Sequence, residues 1–319
     1  MPLRERIEIS PSSYRTITRV ALAAMVLIVF TGAAVRLTGS GLGCPEWPKC
    51  DDSLIAPAET HALIEYSNRL LTGFVGIAAI AAALLGLFRK PYRRELELLA
   101  VLLPIGVLAQ AGLGGLTVLT ELNFYLVMAH YILSMVLIDA AFALAWCATW
   151  EPGQRPRARD RLGVWSVRAL LPIGALTVAA GTAATAAGPH AGSSGTGEVV
   201  ERLRLFGEDT LLRVVQAHGA IAVVFGLSVI AVIAILMREG GERRAIRPLA
   251  AVLGLLALQG VVGIAQWQLE LPAGIVWAHI VLAVATWIAV LWSVGAAGLL
   301  EGEFERDASG KAKAATASS

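Results

Sequence analysis

Eight long apolar segments run through this 319-residue chain and constrain its fold more than any other feature. Each approaches or exceeds the ~20 residues that a helix needs to cross a bilayer. Hydrophobic residues make up 56% of the chain and charged residues only 16%, whereas about a quarter of a soluble domain is charged. We therefore expect an all-α integral membrane protein with eight transmembrane helices, at about 16–36, 62–88, 96–118, 124–149, 163–187, 211–237, 246–267 and 273–299.

Lysine and arginine predict the orientation of these helices. Twenty of the 26 basic residues lie in the N-terminal lead, in the loops after the second, fourth and sixth helices, and in the C-terminal tail. Because basic loops stay on the cytoplasmic side, we expect a multi-pass protein of the cell membrane with both termini in the cytoplasm. Topology and anionic lipid account for these charges, so they indicate no nucleic-acid partner.

An internal repeat divides the chain into two halves. Gln110-Ala-Gly-Leu-Gly aligns with Gln259-Gly-Val-Val-Gly, and at the same offset of 149 residues His130 falls on His279. The two glutamines either bridge helices or bond to a bound haem. The predicted architecture is two pseudo-symmetric four-helix bundles in parallel topology. Its parts are a cytoplasmic lead at 1–15, the N-terminal half at 16–149, a linker at 150–162, the C-terminal half at 163–299 and a disordered cytoplasmic tail at 300–319.

Four histidines lie at one predicted depth, in the outer leaflet, where helices 2, 4, 6 and 8 begin: His61, His130, His218 and His279. Imidazoles at one level of a helix bundle suit axial ligation of haem, and ionisable side chains inside membrane helices are usually functional. We expect His218 and His279 to clamp a haem iron; the alternative is that they are hydrogen-bonded interfacial histidines. Gly219, Gly260 and Gly263 would leave room for a porphyrin, or simply for helix packing.

The first half lacks one of the matching histidines. His218 falls on Arg69 at the strict offset and on Asn68 with one gap. A nearby histidine, His61, shares a helical face with Asn68 but lies ~10 Å closer to the outer end at ~1.5 Å per residue. It would ligate iron only if the helix shifts or the haem sits higher; otherwise it is a water-exposed interfacial residue.

Glu65 lies on the same face, about one turn into helix 2. Near an apolar haem this carboxylate would accept protons; alternatively it forms an ion pair with Arg69 at i,i+4. Arg36 and Arg69 are among the few outer basic residues. They either pair with haem propionates, in which case we expect them at the substrate haem, or snorkel to the interface. Asp139, in the middle of helix 4, either joins a proton path or bonds to a neighbouring helix.

Two long outer loops, at about 37–61 and 188–211, suggest a lid over a site at the histidine level. The first contains Cys44 and Cys50, and its outer location permits a disulfide or a redox-active pair. A metal site is the alternative, but no adjacent ligands complete it. The other loop contains His190, whose role the sequence leaves open.

Three sets of residues occur together in this chain: Arg36-Leu-Thr-Gly-Ser-Gly-Leu-Gly-Cys44-Pro-Glu-Trp47-Pro, Ile64-Glu65-Tyr-Ser-Asn-Arg69-Leu and the two Gln…His blocks. With them the chain resembles the haem A synthase family across roughly 16–299. The resemblance implies an oxidoreductase that converts the C8 methyl of haem O to the formyl of haem A, the cofactor of many terminal oxidases. It implies haem b on His218 and His279, substrate haem O beside Glu65 and His130, and an outer cysteine pair. Haem O synthase and terminal-oxidase assembly factors are the implied partners.

The chain departs from this family at one position. Helix 2 of the family commonly reads Glu-Tyr-x-His-Arg, whereas Asn68 stands in the histidine position here. Asn is a poor iron ligand, so either His61 replaces it or His130 alone holds the substrate iron. A membrane di-haem cytochrome b is the competing class, although it needs haems stacked across the bilayer and these histidines lie on one side. A small-molecule transporter would more typically show helices broken in mid-membrane.

Overall fold

The computed structural model describes residues 8–50, 52–53, 55–191, 200–238, 243–303 and 305–306. Within these residues, eight helices are long and apolar enough to cross a membrane. The predicted all-α membrane fold is therefore confirmed, and the chain is a multi-pass membrane protein. Backbone polar groups inside a bilayer have to be satisfied within the protein, which helices achieve by their own hydrogen bonds.

The helices follow the predicted segments closely. The N-terminal half consists of α1 (Pro11–Leu37), α2 (Thr60–Gly86), α3 (Arg94–Leu119) and α4 (Phe124–Thr149). The C-terminal half consists of β1 (Arg157–Ala158), α5 (Arg161–Arg168), α6 (Leu170–Ala187), α7 (Thr210–Arg238), α8 (Ile246–Gln268), α9 (Ala273–Ala297) and β2 (Leu299–Leu300). The fifth predicted segment is thus divided at Ala169 into α5 and α6, and 3-10 turns at Gly207–Asp209 and Arg243–Ala245 precede α7 and α8.

Each half has the same order of neighbours. In the first half, α1 packs on α2, α2 on α3, α3 on α4, and α4 closes back on α1. In the second half, α6, α7, α8 and α9 follow the same circuit, and the halves meet where α1 and α4 face α6 and α9. A two-fold axis that relates the halves stays a prediction.

The same turn joins the third and fourth long helices of each half. Glu121 and Leu122 have φ angles of 53° and 59°, and Glu270 and Leu271, at the repeat offset, have 61° and 62°. In each turn the leucine N–H donates to the carbonyl five residues earlier, at 2.7 Å. Because the left-handed conformation costs a residue other than glycine ~1–2 kcal/mol, its occurrence in both turns marks a shared geometry that starts α4 and α9 at equivalent points.

The C-terminal end of the last helix is anchored. Leu299 and Leu300 in β2 pair in parallel with Arg157 and Ala158 in β1, and Arg168 forms an ion pair with Glu303 at 2.7 Å. Hydrogen bonds from Arg168 lower the pKa of Glu303 to about 2. This ion pair and the strand pairing hold the first residues after α9 in place. A disordered tail stays a prediction, and positions 307–319 lie outside the described residues.

Two tryptophan indole N–H groups form hydrogen bonds between the halves. The N–H of Trp287 in α9 donates to the Asp139 carboxylate in α4 at 2.5 Å. Of the two alternatives for Asp139, the bond to a neighbouring helix is therefore present. Trp277 donates to the carbonyl of Phe30 in α1 at 2.9 Å, so α9 is bonded to both N-terminal helices that it faces.

Replacing Trp287 with Phe would remove the donor to Asp139 inside the bundle. We expect the free energy of unfolding to fall by about 1–3 kcal/mol, the usual cost of an unsatisfied buried polar group. Thermal unfolding of the purified protein in detergent, followed by circular dichroism, measures the loss. Trp292→Phe is the matched control because Trp292 lies on the same helix and is 41% exposed; an equal loss in both variants would show that ring volume, not the hydrogen bond, matters.

Candidate functional site

Four histidines lie within the first three turns of α2, α4, α7 and α9: His61, His130, His218 and His279. We call the end of the bundle where these helices begin the histidine end. The long loops between α1 and α2 and between α6 and α7 connect the helices at this end. The second of these loops includes positions 192–199, which lie outside the described residues, so the structure does not test it as a lid.

His218 and His279 face each other, with ring centroids 6.3 Å apart and ring planes at 65°. A metal ion bound end-on by two imidazoles lies about 2.0–2.1 Å from each nitrogen. Ring centroids 6.3 Å apart therefore leave room for a single ion between the two imidazoles.

A hydrogen bond to one ring nitrogen of His218 sets the tautomer of the imidazole. Its Nδ1 lies 3.1 Å from the carbonyl oxygen of Thr177. A carbonyl only accepts, so Nδ1 carries the proton and Nε2 is left as the basic, ligating nitrogen. Gln259, in α8, directs its side-chain amide toward α9. With the amide nitrogen on the α9 side, this nitrogen lies 3.1 Å from both ring nitrogens of His279, and the amide oxygen accepts a hydrogen bond from the Ala283 N–H at 3.0 Å.

A cavity of about 850 Å³ surrounds this pair, a volume within the ~300–1,000 Å³ typical of cofactor sites. A Cβ at Gly181 would lie 3.1 Å from the ring of His218, whereas one at Gly219 or Gly260 would meet nothing within 4 Å. The described residues contain no group of three or more His, Cys, Asp or Glu side chains suited to a bare metal ion. The pair therefore fits an ion that brings its own equatorial ligands, as haem iron does.

Arg36 lines this cavity although it belongs to α1 in the other half. Its charge and outer position led us to expect Arg36 at the propionates of the substrate haem in the N-terminal half, so its position at the C-terminal cavity differs from that expectation. His190 also lines the cavity, and its Nε2 donates to the carbonyl of Leu271 at 2.8 Å. The sequence offered no signal for either placement, because both side chains reach across from distant segments.

His130 repeats the surroundings of its counterpart His279. The ring of His130 lies against Gly114, and that of His279 against Gly263, at the repeat offset. Gln110 donates to the carbonyl of His130 at 3.0 Å, so this glutamine bridges α3 and α4. The Nδ1 of His130 is buried and has no hydrogen-bond partner among the described residues.

Asn68 takes the place that His218 has in the other half. With the one-residue gap, Thr31 falls on Gly181 and Asn68 on His218. Gly181 leaves space for the His218 ring, whereas Thr31 fills the equivalent space and donates to the Asn68 side-chain oxygen at 2.7 Å. A hydrogen-bonded pair thus stands where the C-terminal half seats an imidazole.

His61 lies at the edge of the disulfide loop rather than on the level of Asn68. Its Nδ1 lies 2.9 Å from the hydroxyl of Ser40. The Cys44–Cys50 disulfide is present, with an S–S distance of 1.99 Å, so the predicted pairing is confirmed. The loop that it closes lies directly over the start of α2.

Glu65 and Arg69 hold the disulfide loop on α2. Glu65 is 5% exposed; it pairs with Arg69 at 2.6 Å and accepts from the Cys44 N–H at 2.8 Å. Arg69 donates to three loop carbonyls at 2.9 Å each, those of Cys44, Glu46 and Lys49. The i,i+4 spacing predicted the ion pair as one alternative, but it gave no signal that the arginine caps the loop.

Comparison with known proteins gives one family for most of the chain. A family model described as cytochrome oxidase assembly protein matches residues 15–291. A heme A synthase of Geobacillus kaustophilus is 38% identical over 109 residues, 33% of this chain and 33% of that one. Another heme A synthase, of Lysinibacillus sphaericus, is 35% identical over 127 residues, covering 39% of this chain and 41% of that one. A protoheme IX farnesyltransferase of Thermus thermophilus is 29% identical over 277 residues, covering 82% of this chain and 45% of that one. The chain thus spans less than half the length of these curated relatives.

Gly43 is the point of closest approach between the disulfide loop and α2. An added Cβ there would lie 2.3 Å from the carbonyl oxygen of His61. Gly43→Ala must therefore push the loop outward, and we expect the Cys44 amide to exchange hydrogen about tenfold faster as its bond to Glu65 weakens, a change of ~1.4 kcal/mol. Exchange measured by mass spectrometry tests this. Gly32→Ala, where nothing lies within 4 Å, should change nothing; unaltered exchange in Gly43→Ala would contradict a docked loop.

Proposed function

Because the chain belongs to the cytochrome oxidase assembly protein family, we propose that it is a haem A synthase, which oxidises the C8 methyl of haem O to a formyl group. One observation carries this proposal. The C-terminal half places two imidazoles 6.3 Å apart, whereas the N-terminal half has His130 and, in place of a second imidazole, the Thr31–Asn68 pair. This difference in the number of imidazoles suits one firmly held haem in the C-terminal half and one haem that reacts and leaves in the N-terminal half. The heme A synthases among the relatives support the assignment.

The resident cofactor is proposed to be haem b, held in the C-terminal half. His218 and His279 would hold its iron, and Thr177 would orient the first of them. When bound, such a haem supplies one-electron transfer. The protein contributes a largely apolar cavity and two neutral imidazoles, which together favour retention of the iron.

Substrate haem O is proposed to bind in the N-terminal half through His130. Gln110 fixes the backbone of His130, and the buried Nδ1 leaves the ring without a competing partner among the described residues. His61 is already engaged with Ser40, which favours His130 as the single ligand. One imidazole suits a substrate better than two, because it binds less tightly and leaves a coordination position open.

Glu65 is proposed to accept protons while the methyl group is oxidised, first to an alcohol and then to the hydrated aldehyde. With water as the oxygen source, each oxidation adds one oxygen atom to the carbon and releases two electrons to an external electron acceptor and two protons; a buried carboxylate is a suitable acceptor for the protons. Its bonds to Arg69 and the Cys44 N–H support the alternative, in which Glu65 only holds the disulfide loop. Arg36 and Arg69 were both expected near the haem propionates; the loop carbonyls that Arg69 already binds favour a holding role for it.

A di-haem cytochrome b that moves electrons across the membrane is the less favoured function. Such a protein needs imidazoles at two depths, one pair for each haem. The chain has five histidines; four lie in the first turns of helices that begin at the histidine end, and His190 bonds to Leu271 in a turn at the same end. This single level supports a local reaction rather than transport of electrons across the bilayer.

The proposed orientation places both termini in the cytoplasm and the histidine end outside. The basic residues of the opposite end and the disulfide, which persists in oxidising compartments, support it.

We also propose that the chain works beside haem O synthase and terminal-oxidase assembly factors.

Removing either axial ligand should empty the C-terminal site. We expect His218→Ala and His279→Ala to lower the b-type haem content of the purified protein at least tenfold, roughly ~1.4 kcal/mol or more of binding free energy. Pyridine haemochrome spectra and mass analysis of extracted haem measure it. His130→Ala is the control and should retain haem b while losing haem O. Wild-type haem content in both C-terminal variants would show that this pair is not the ligand set.

Glu65→Gln separates proton transfer from loop attachment. If Glu65 accepts protons, haem O should accumulate and the ratio of haem A to haem O in cells should fall at least tenfold, about 1.4 kcal/mol on the barrier. Glu59→Gln is the matched control, because Glu59 is an exposed carboxylate just before the same helix. A ratio per folded protein that stays at the wild-type value, with a lower unfolding temperature, would leave Glu65 only a structural role.

A further inference from the structure

Arg36 is the one lysine or arginine among the described residues that line the C-terminal cavity. It stands in the last turn of α1, in the opposite half of the molecule. Its guanidinium therefore crosses the boundary between the halves and reaches the histidine end of a cavity built by α6 to α9. Neither its ordinary role as an interfacial cation nor the N-terminal substrate site accounts for this position.

The guanidinium is held in place but only partly satisfied. Its Nη2 donates to the carbonyl of Ala191 at 3.0 Å. Its Nε is buried and has no hydrogen-bond partner among the described residues. The segment that carries Ala191 is itself fixed, because the neighbouring His190 donates to Leu271 at 2.8 Å.

No Asp or Glu is found among the described residues that line this cavity, and Arg36 forms no ion pair among them. Arg36 is half-buried and its Nε is enclosed, and a guanidinium withdrawn from water in this way is best satisfied by a carboxylate that accepts two parallel hydrogen bonds. The missing anion would therefore come from the ligand. A tetrapyrrole carries carboxylates at one edge, and that edge belongs at the polar mouth of a membrane cavity.

We propose that Arg36 binds a carboxylate of the tetrapyrrole held between His218 and His279, so that the N-terminal half completes the ligand site of the C-terminal half. This rests on the proposed haem ligation. Arg36 is then a binding residue of the resident cofactor and not of the substrate haem. The cation also stabilises the reduced, less positive state of a nearby iron, so it raises the reduction potential of the bound group.

The test compares four full-length holoproteins: wild type, Arg36→Gln, Arg36→Lys and Arg213→Gln. Arg213 is the matched control, since it lies at the same end on α7, is 59% exposed and is not among the cavity-lining residues. Transfer of haem to excess apomyoglobin gives the dissociation rate, and a redox titration gives the potential. Full-length protein produced without haem is then loaded with ferric protoporphyrin IX or with its dimethyl ester, whose carboxylates are blocked.

We expect Arg36→Gln to release haem at least tenfold faster and to have a lower reduction potential, with Arg36→Lys intermediate and Arg213→Gln unchanged. Wild type should prefer the free acid over the ester, and Arg36→Gln should lose that preference. A purely structural change at Arg36 would not alter the preference for the free acid over the ester or the reduction potential of the haem. If Arg36→Gln folds poorly, Arg36→Lys, which keeps the charge, still tests the proposal. Equal retention, potential and preference in wild type and Arg36→Gln would overturn the assignment of Arg36 while His218→Ala still loses haem. Retention of haem by His218→Ala and His279→Ala would overturn the haem site, and the role of Arg36 with it.

Discussion

The fold depends on one constraint: in a bilayer, each backbone N–H and C=O must find its partner inside the protein. Eight helices meet this constraint along their length, so irregular backbone is confined to the ends of the bundle. At the histidine end, side chains take over the same task. Arg69 supplies hydrogen bonds to three carbonyls of the disulfide loop, and His190 supplies one to Leu271. The residues nearest the candidate sites therefore also hold the ends of the helices in place.

The two halves share a backbone framework and differ in the side chains at their candidate ligand positions. The left-handed turns at Glu121 and Glu270 and the glycines that lie against His130 and His279 recur at one offset. These features set the height and direction of the fourth helix in each half. The difference lies between the first two helices, where Thr31 bonds to Asn68 in one half and Gly181 makes room for His218 in the other. A change of two side chains within a preserved framework thus distinguishes the candidate ligand positions of the two halves.

Hydropathy predicted the eight helices because lipid selects for apolar length, and the repeat predicted that His130 and His279 occupy equivalent positions. The division of the fifth segment at Ala169 and the residues held in place after β2 were not predicted; the latter depend on contacts between distant segments. The Cys44–Cys50 bond was within reach of the sequence, but the arginine that caps its loop was not. Arg36 shows the limit most clearly. Its chemistry indicated a carboxylate partner, while its place at the second cavity follows from how α1 packs against the other half.

Because Arg36 belongs to the first half and lines the cavity of the second, the two halves cannot be produced separately without changing that cavity. With the one-residue gap, the counterpart of Arg36 in the second half is Ala186, which brings no charge. A homodimer made from the second half alone would enclose two imidazole pairs with no cation at either mouth. Two separately produced halves would have to associate as a heterodimer, with α1 beside α9, to restore the complete cavity. The complete cavity therefore needs residues from both halves, whether or not one chain joins them.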